Sequence, residues 1–303
     1  IQSVSSGKTL NDGAISARAY RNLKEALTKK LRFSVVRAQG MGDILVSAVV
    51  VKGLKSLYPD SEVTFYAFPQ YLPLLQRFDF IDAVGMLEDV DTSAIMVDLM
   101  GKIDYLPLCN KAHRLDLLAD EAAVPRDLLD YDFSFSTTDD EKLWLVQYLK
   151  KLKIKKNDKL IGIHLKSYAY IRTWDYNYEL VRCILDKYPS SYKIILFEKD
   201  SQDIPKDLHC SRVIDATGKL SMSQLVPAVS ACSLLVCPDS GLMHVAGMMR
   251  VPFISLFGPI NPDMRIRYYP TGEAIWMNDT ASCAPCWDWQ ITACSSNNGQ
   301  QKL

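Results

Sequence analysis

Apolar and polar positions follow two rhythms along this chain. Short runs rich in β-branched and aromatic residues recur: RFSVVRA (32–38), EVTFYAF (62–68), IDAVGML (81–87) and SAIMVDL (93–99). Each reads as a strand. Between them lie helical patterns: SARAYRNLKEALTKKL (16–31), the strongly apolar ILVSAVVVKGLKSLY (44–58) closed by Pro59, and the short QYLPLLQRF (70–78). A second series begins later. KLIGIHL (159–165), YKIILFE (192–198), SRVIDA (211–216), SLLVCPD (233–239) and VPFISLFG (251–258) predict strands. YNYELVRCILDKY (176–188), SMSQLVPAVSAC (221–232) and GLMHVAGMM (241–249) predict the helices between them. Ser221 and Gln224 have capping-box spacing, and Pro227 is expected to kink its helix. Strand and helix in alternation argue for parallel sheets with helices on both faces.

The stretch from Cys109 to Asp139 breaks this rhythm and ends in the polar YDFSFSTTDDE (131–141). It reads as a crossing between two domains, residues 1–138 and 139–303. A cap within Ser136–Asp140 is expected to open the helix EKLWLVQYLKKL (141–152). Two α/β halves in succession predict two doubly wound domains facing across a cleft.

Composition narrows the possibilities. The 303 residues are 48% hydrophobic and 23% charged, as in ordinary globular proteins. Lys plus Arg equals Asp plus Glu at 35 each, so no global field gathers nucleic acid. No signal peptide and no membrane-spanning run are read in the sequence, and a cytoplasmic placement is expected. Of the eight cysteines, Cys183, Cys232 and Cys237 lie in apolar surroundings and are expected to be reduced core thiols.

Two stretches carry candidate chemistry. In CPDSGLMHVAGMMRVPFISLFGP (237–259), Asp239 stands past the end of a strand, Ser240 suits an N-cap and Gly241 lets a ligand approach the backbone. The amides of Gly241, Leu242 and Met243 at the helix start, with the helix dipole, suit a phosphate or pyrophosphate. His244 lies one turn in. A capped corner with a core histidine accounts for the same residues without a ligand. In VVRAQGMGDILVSAVVVKGLKSLYP (35–59), a Gly-x-Gly turn leads into a helix, but Leu45 stands where a dinucleotide fingerprint needs its third glycine. A nicotinamide oxidoreductase is therefore disfavoured. Asp43 reads as an N-cap, or as a carboxylate placed to take a proton from an acceptor hydroxyl.

Together the two stretches resemble glycosyltransferase family 9, the ADP-heptose:lipopolysaccharide heptosyltransferases, over about Arg32 to Cys294. The resemblance implies a GT-B architecture of two Rossmann-like domains. The N-terminal one would hold the acceptor, and the C-terminal one an ADP-heptose-like donor. It also implies inverting transfer, to a surface glycan or a protein hydroxyl, without a required metal. Peripheral contact with the inner membrane is implied as well. Carried over by position, Asp43 matches the general base, and Ser240, Gly241 and Leu242 match the phosphate turn. His244 matches the family's histidine and Asp239 the acidic residue beside the donor. Lys166 and Arg172, in HLKSYAYIRTW (164–174), would neutralise donor phosphate, with Arg172 standing where the family more often has Lys. Glu198 is the candidate for the ribose hydroxyls. The acceptor pocket is expected around Phe68–Leu75 and Cys109–Arg114.

The tail CAPCWDWQITAC (283–294) places Cys283, Cys286 and Cys294 together. It reads as part of a structural Zn or Fe site short of one ligand, or as three unpaired thiols. Some family members, protein-modifying autotransporter heptosyltransferases among them, carry a cysteine-rich metal-binding segment. A sugar-nucleotide-binding protein without catalysis is the alternative function.

Overall fold

The computed structural model describes residues 30–101, 112–131 and 134–276. The N-terminal part contains β1 (Arg32–Val36), α1 (Met41–Leu57), β2 (Glu62–Tyr66), the short α2 (Leu72–Leu75), β3 (Ala83–Gly85), β4 (Ile95–Asp98) and α3 (Arg114–Glu121). The remainder contains α4 (Asp139–Lys151), β5 (Lys159–His164), α5 (Asn177–Lys187), β6 (Tyr192–Phe197), β7 (Val213–Asp215), α6 (Met222–Ser230), β8 (Leu234–Pro238), α7 (Gly241–Met248), β9 (Phe253–Phe257), α8 (Asp263–Ile266) and β10 (Gly272–Trp276). The expected helix over 16–31 lies outside the described residues.

Among the described residues all strand pairs are parallel, in two separate sheets. The first has the order β3-β2-β1-β4 and the second β10-β9-β8-β5-β6-β7. Counted within its own half, the second sheet has the doubly wound order 3-2-1-4-5-6 read from the far edge, and the first repeats the beginning of that order. In such sheets the chain reverses direction between the first and fourth strands, and ligands gather beyond the carboxyl ends there. The two switch points are β1/β4 and β5/β8.

α1 is the seam between the halves. Its run of valines is a poor local helix former, because β-branched side chains lose χ1 freedom in a helix. Burial overrides that preference: Ile44, Leu45, Val46, Ala48, Val49, Val50, Val51 and Leu54 are at most 2% exposed. A helix apolar all round must be covered on every side. α1 is flanked by α3 and by α7 of the other half, and one apolar core runs through both halves. Each large aliphatic chain buried there contributes roughly 1.5–3 kcal/mol.

The seam is also tied by polar groups. Arg77 pairs with the buried Glu141, with Nη1–Oε2 at 2.7 Å. Glu141 also closes a capping box on Thr138, the N-cap of α4. Asp116 of α3 accepts hydrogen bonds from Tyr268 Oη at 3.0 and 3.2 Å.

Several expectations are corrected. IDAVGML yields only the three-residue β3 and a 3-10 turn. Cys183 is exposed, whereas Cys232 and Cys237 are buried thiols. As expected, the Ser221–Gln224 capping box is present, with Pro227 inside α6. Edge strand β10 is unanticipated from the pattern.

Candidate active site

Asp43 is not the cap of α1. Gly40 holds that position with φ 84°, a left-handed conformation favoured by glycine, and Asp43 lies inside the first turn. A β-carbon on Gly40 would also come within 2.8 Å of Asp43 Oδ2. Both Asp43 oxygens are engaged. Arg37, just past the end of β1, donates Nη2–H to Oδ2 at 2.6 Å, and Nη1–H to the Leu99 carbonyl beyond β4 at 2.8 Å. Arg114, at the start of α3, pairs with Oδ1. Burial by itself raises the Asp43 pKa. The charges of Arg114 and then Arg37 outweigh it, and the carboxyl lies well below its usual range.

The second half presents the same layout. Ser240 occupies the N-cap position of α7 with extended backbone, but its side chain caps no amide. Its Oγ lies 2.9 Å from His164 Nδ1, so the end of β5 and the turn after β8 are joined across that switch point. The amides at the start of α7 are thus left without a side-chain cap. Asp239 is buried, with Oδ2 3.0 Å from Arg172 Nη1 and Oδ1 3.9 Å from Arg265 Nε. Burial works against its charge, yet Arg172 and Arg265 together leave its pKa lowered. Burial and the neighbouring Arg114 bring Arg265 down to about 10.

The two helix starts touch. A β-carbon on Gly42 would lie 2.7 Å from His244 Nε2, and one on Gly241 would lie 2.7 Å from Met41 Cβ. Only glycine permits this approach. His244 is buried, with Nδ1 2.7 Å from Tyr269 Oη. Burial lowers its pKa to about 4, against the pull of Asp239 and Asp43. His164 also falls to about 4 through burial. His113 caps α3: its Nδ1 accepts from the Leu115 amide at 3.1 Å, so its Nε2–H donates to the Arg265 carbonyl at 3.2 Å. Burial brings it to about 3.

The sequence-predicted residues therefore divide. Asp43, Arg172, Asp239, Ser240, Gly241, Leu242 and His244 converge on the seam. Lys166 is exposed on the loop after β5. Glu198, just past β6, lies beside His164 with Oε2 3.8 Å from Nε2. That oxygen is buried without a hydrogen bond among the described residues, and burial raises the carboxyl pKa. Phe68 is exposed, whereas Leu74 and Leu75 are core residues. Cys283, Cys286 and Cys294 lie outside the described residues. Among the described residues no cluster of three His, Cys, Asp or Glu side chains could hold a metal.

Sequence reasoning missed Arg37, His164, Arg265 and Tyr269, and it named Arg114 only as one end of the expected acceptor pocket. Arg37 and His164 had a signal, each lying at the carboxyl end of its half's first strand. Arg265 had none, and nothing in the sequence paired Arg114 with Asp43, 71 residues away. Among the described residues, Arg37, Arg114, Arg172 and Arg265 gather around Asp43 and Asp239. The positive dipole ends of α1 and α7 add to their charge. Such a place attracts a dianion.

Comparisons with known proteins identify the family and the fold. The family description "Glycosyltransferase family 9 (heptosyltransferase)" matches residues 118–293. Lipopolysaccharide heptosyltransferase 2 of Escherichia coli (strain K12) is 33% identical over 97 residues, 29% of this chain and 27% of that protein. The chain thus spans about a quarter of that relative's length in the match. Among solved structures, the family 9 glycosyl transferase from Veillonella parvula DSM 2008 superposes with a TM-score of 0.64 at 17% identity, over 89% of this chain and 92% of that one. The iron-containing dodecameric glycosyltransferase TibC from enterotoxigenic E. coli H10407 gives 0.59 at 16% identity, over 80% and 63%. The fold is GT-B, with two Rossmann-like domains, and the chain belongs to glycosyltransferase family 9, the heptosyltransferases.

Proposed function

We propose that this chain transfers a sugar, a heptose, from an ADP-linked donor to a hydroxyl of a bacterial surface glycan, with inversion at the anomeric carbon. The observation that carries the reading is the seam, where a carboxylate from one half meets a cation-rich helix start from the other. We divide the chain at 138/139. The N-terminal domain holds the acceptor near Phe68 and Arg114, and the C-terminal domain holds the nucleotide.

The donor's diphosphate lies against the start of α7. There the amides of Gly241 and Leu242, the guanidinium groups of Arg172 and Arg265, and Lys166 from its loop receive its charge. Arg172 Nε is buried without a hydrogen-bond partner among the described residues, a donor suited to a phosphate oxygen. Glu198 takes the ribose hydroxyls. Asp239 holds Arg172 and Arg265 in place, and His244 fixes the start of α7 against Gly42. Asp43 removes the acceptor proton, and the freed oxygen attacks the anomeric carbon from the face opposite the diphosphate. The bond from that carbon to the diphosphate oxygen breaks, and ADP leaves with the electron pair. A single displacement inverts the centre. Positive charge for the leaving group comes from this chain's arginines.

Asp43→Asn tests the assignment. Transfer from ADP-heptose should fall by roughly 10²–10⁴-fold, the usual effect of losing a general base. ADP binding should persist. Transfer at the unaltered rate would remove Asp43 from the mechanism.

A second reading has its own observation. Both Asp43 oxygens are held by arginines, as suits a protein that binds the sugar nucleotide without turning it over. ADP binding with no transfer to any glycan acceptor would favour it. Cys283, Cys286 and Cys294 are proposed as a structural Zn or Fe site, which elemental analysis of the purified chain tests.

A further inference from the structure

We infer that His164 is a positioning residue for the donor: it takes the hydroxyl of Ser240 and thereby keeps that side chain from capping α7. This role rests on the proposed seat of the diphosphate at the start of α7, and it adds what reserves the first amides of that helix for the ligand. A serine at an N-cap ordinarily turns its oxygen onto an amide two or three residues on, where it satisfies one of the orphan donors of the first turn. Ser240 has the backbone for this, with φ −155° and ψ 172° in the extended region that N-cap residues adopt. Only rotation about χ1 separates it from a cap. Thr138, at the same place on α4, makes that bond, accepting from the Glu141 amide at 3.3 Å. The Ser240 side chain makes none to its helix, and its Oγ lies 2.9 Å from His164 Nδ1 instead.

His164 is placed by the sheet. It is the last residue of β5, and the preceding Ile163 pairs with Val236 of β8, the strand that leads into Ser240. The loop after β5 adds a second tie to the same turn: Ser167 Oγ donates to the Asp239 carbonyl at 3.0 Å. The ring is buried, and burial holds it neutral, with its pKa lowered to about 4. Its Nε2 faces the Glu198 carboxyl, with Oε2 3.8 Å away. A proton on Nε2 is favoured beside that oxygen, so Nδ1 carries the lone pair and accepts from the Ser240 hydroxyl. One imidazole thus spans the two places proposed for the donor, the α7 turn and Glu198. Its bond to Ser240 removes the side-chain competitor that a diphosphate oxygen would otherwise have to displace from the amides. His164 acts through Ser240 and not on the reacting atoms.

Calorimetric titration with ADP tests this role. His164→Leu removes the acceptor and lets Ser240 cap α7. A serine cap is worth about 2- to 30-fold in an equilibrium, so ADP affinity should fall by a factor in that range. Adding Ser240→Ala removes the competing cap, and His164→Leu/Ser240→Ala should recover most of the lost affinity. A double variant as weak as His164→Leu, or weaker, means that His164 only supports the fold. That result overturns the role and leaves the transfer reading intact, as does undiminished affinity in His164→Leu. His164→Asn, whose amide oxygen can take the place of Nδ1, keeps the role falsifiable should the leucine variant not fold. It should bind ADP within about threefold of the original, and a larger loss in the folded protein overturns the role. An unaltered protein that binds ADP no tighter than AMP overturns the diphosphate seat itself, and this role with it.

Discussion

Acidification should open the seam before Asp43 or Asp239 is protonated. His113, His164 and His244 are buried, and burial lowers them from 6.5 to about 3, 4 and 4. Each folded value is below the unfolded one. The stability they confer is therefore complete above about pH 6.5 and is lost as the pH falls towards their folded values. At about pH 5 an unfolded imidazole of pKa 6.5 has gained about 2 kcal/mol from protonation, while a folded one near 4 has gained almost none. Together the three histidines remove up to about 6 kcal/mol, comparable with the whole stability of many domains. The slope there approaches three protons, or roughly 4 kcal/mol per pH unit. Glu198 acts in the opposite sense, because burial raises its folded pKa and acid relieves it. Asp43 and Asp239, held low by their arginines, contribute nothing in this window. Urea unfolding followed by tryptophan fluorescence at about pH 8, 6 and 5 measures the effect. His164→Gln, which does not titrate, should lower the slope by about one proton. Stability constant to within about 1 kcal/mol from pH 8 to 5 would refute the buried neutral state of these rings.

Other perturbations separate packing from chemistry. Gly42→Ala puts a methyl group into the His244 ring and should cost about 1–3 kcal/mol, seen as a fall in Tm of roughly 2–10 °C. An unchanged Tm would mean that the helix starts are not in contact. Arg77→Ala strands the buried Glu141 and should cost roughly 3–5 kcal/mol in urea unfolding, with Arg77→Ala/Glu141→Gln recovering much of it. Ser240→Ala removes the hydroxyl that meets the buried His164 Nδ1 and should cost roughly 1–3 kcal/mol in urea unfolding, although the hydroxyl caps no amide. Unchanged stability would contradict the bond to His164.

Much of the fold was legible in the sequence, because parallel strands buried on both faces are nearly continuous apolar runs. β5, β6, β8 and β9 fell where their runs predicted, and Thr138 and Ser221 cap helices at polar-to-apolar boundaries. The valines of α1 were legible as a helix only through their length, since locally they favour a strand. What could not be read were partners distant along the chain. Arg114 lies 71 residues from Asp43, and Arg265 meets Asp239 from the short helix α8. Gly42 was visible as a turn glycine, but its true constraint is a histidine 202 residues later. The capping roles of Asp43 and Ser240 were misread for one reason: side-chain oxygens suited to an amide were claimed by Arg and His from other elements.

The central claim is that the seam is a diphosphate seat. Calorimetric titration with ADP and AMP tests it most directly, because the two differ only in the phosphate that the arginines would hold. The account predicts one ADP per chain, bound at least about tenfold tighter than AMP, since one charge-assisted hydrogen bond suffices for that ratio. Arg172→Gln should remove most of the difference. Equal affinity for ADP and AMP, or an Arg172→Gln protein that binds ADP as well as the original, would contradict it.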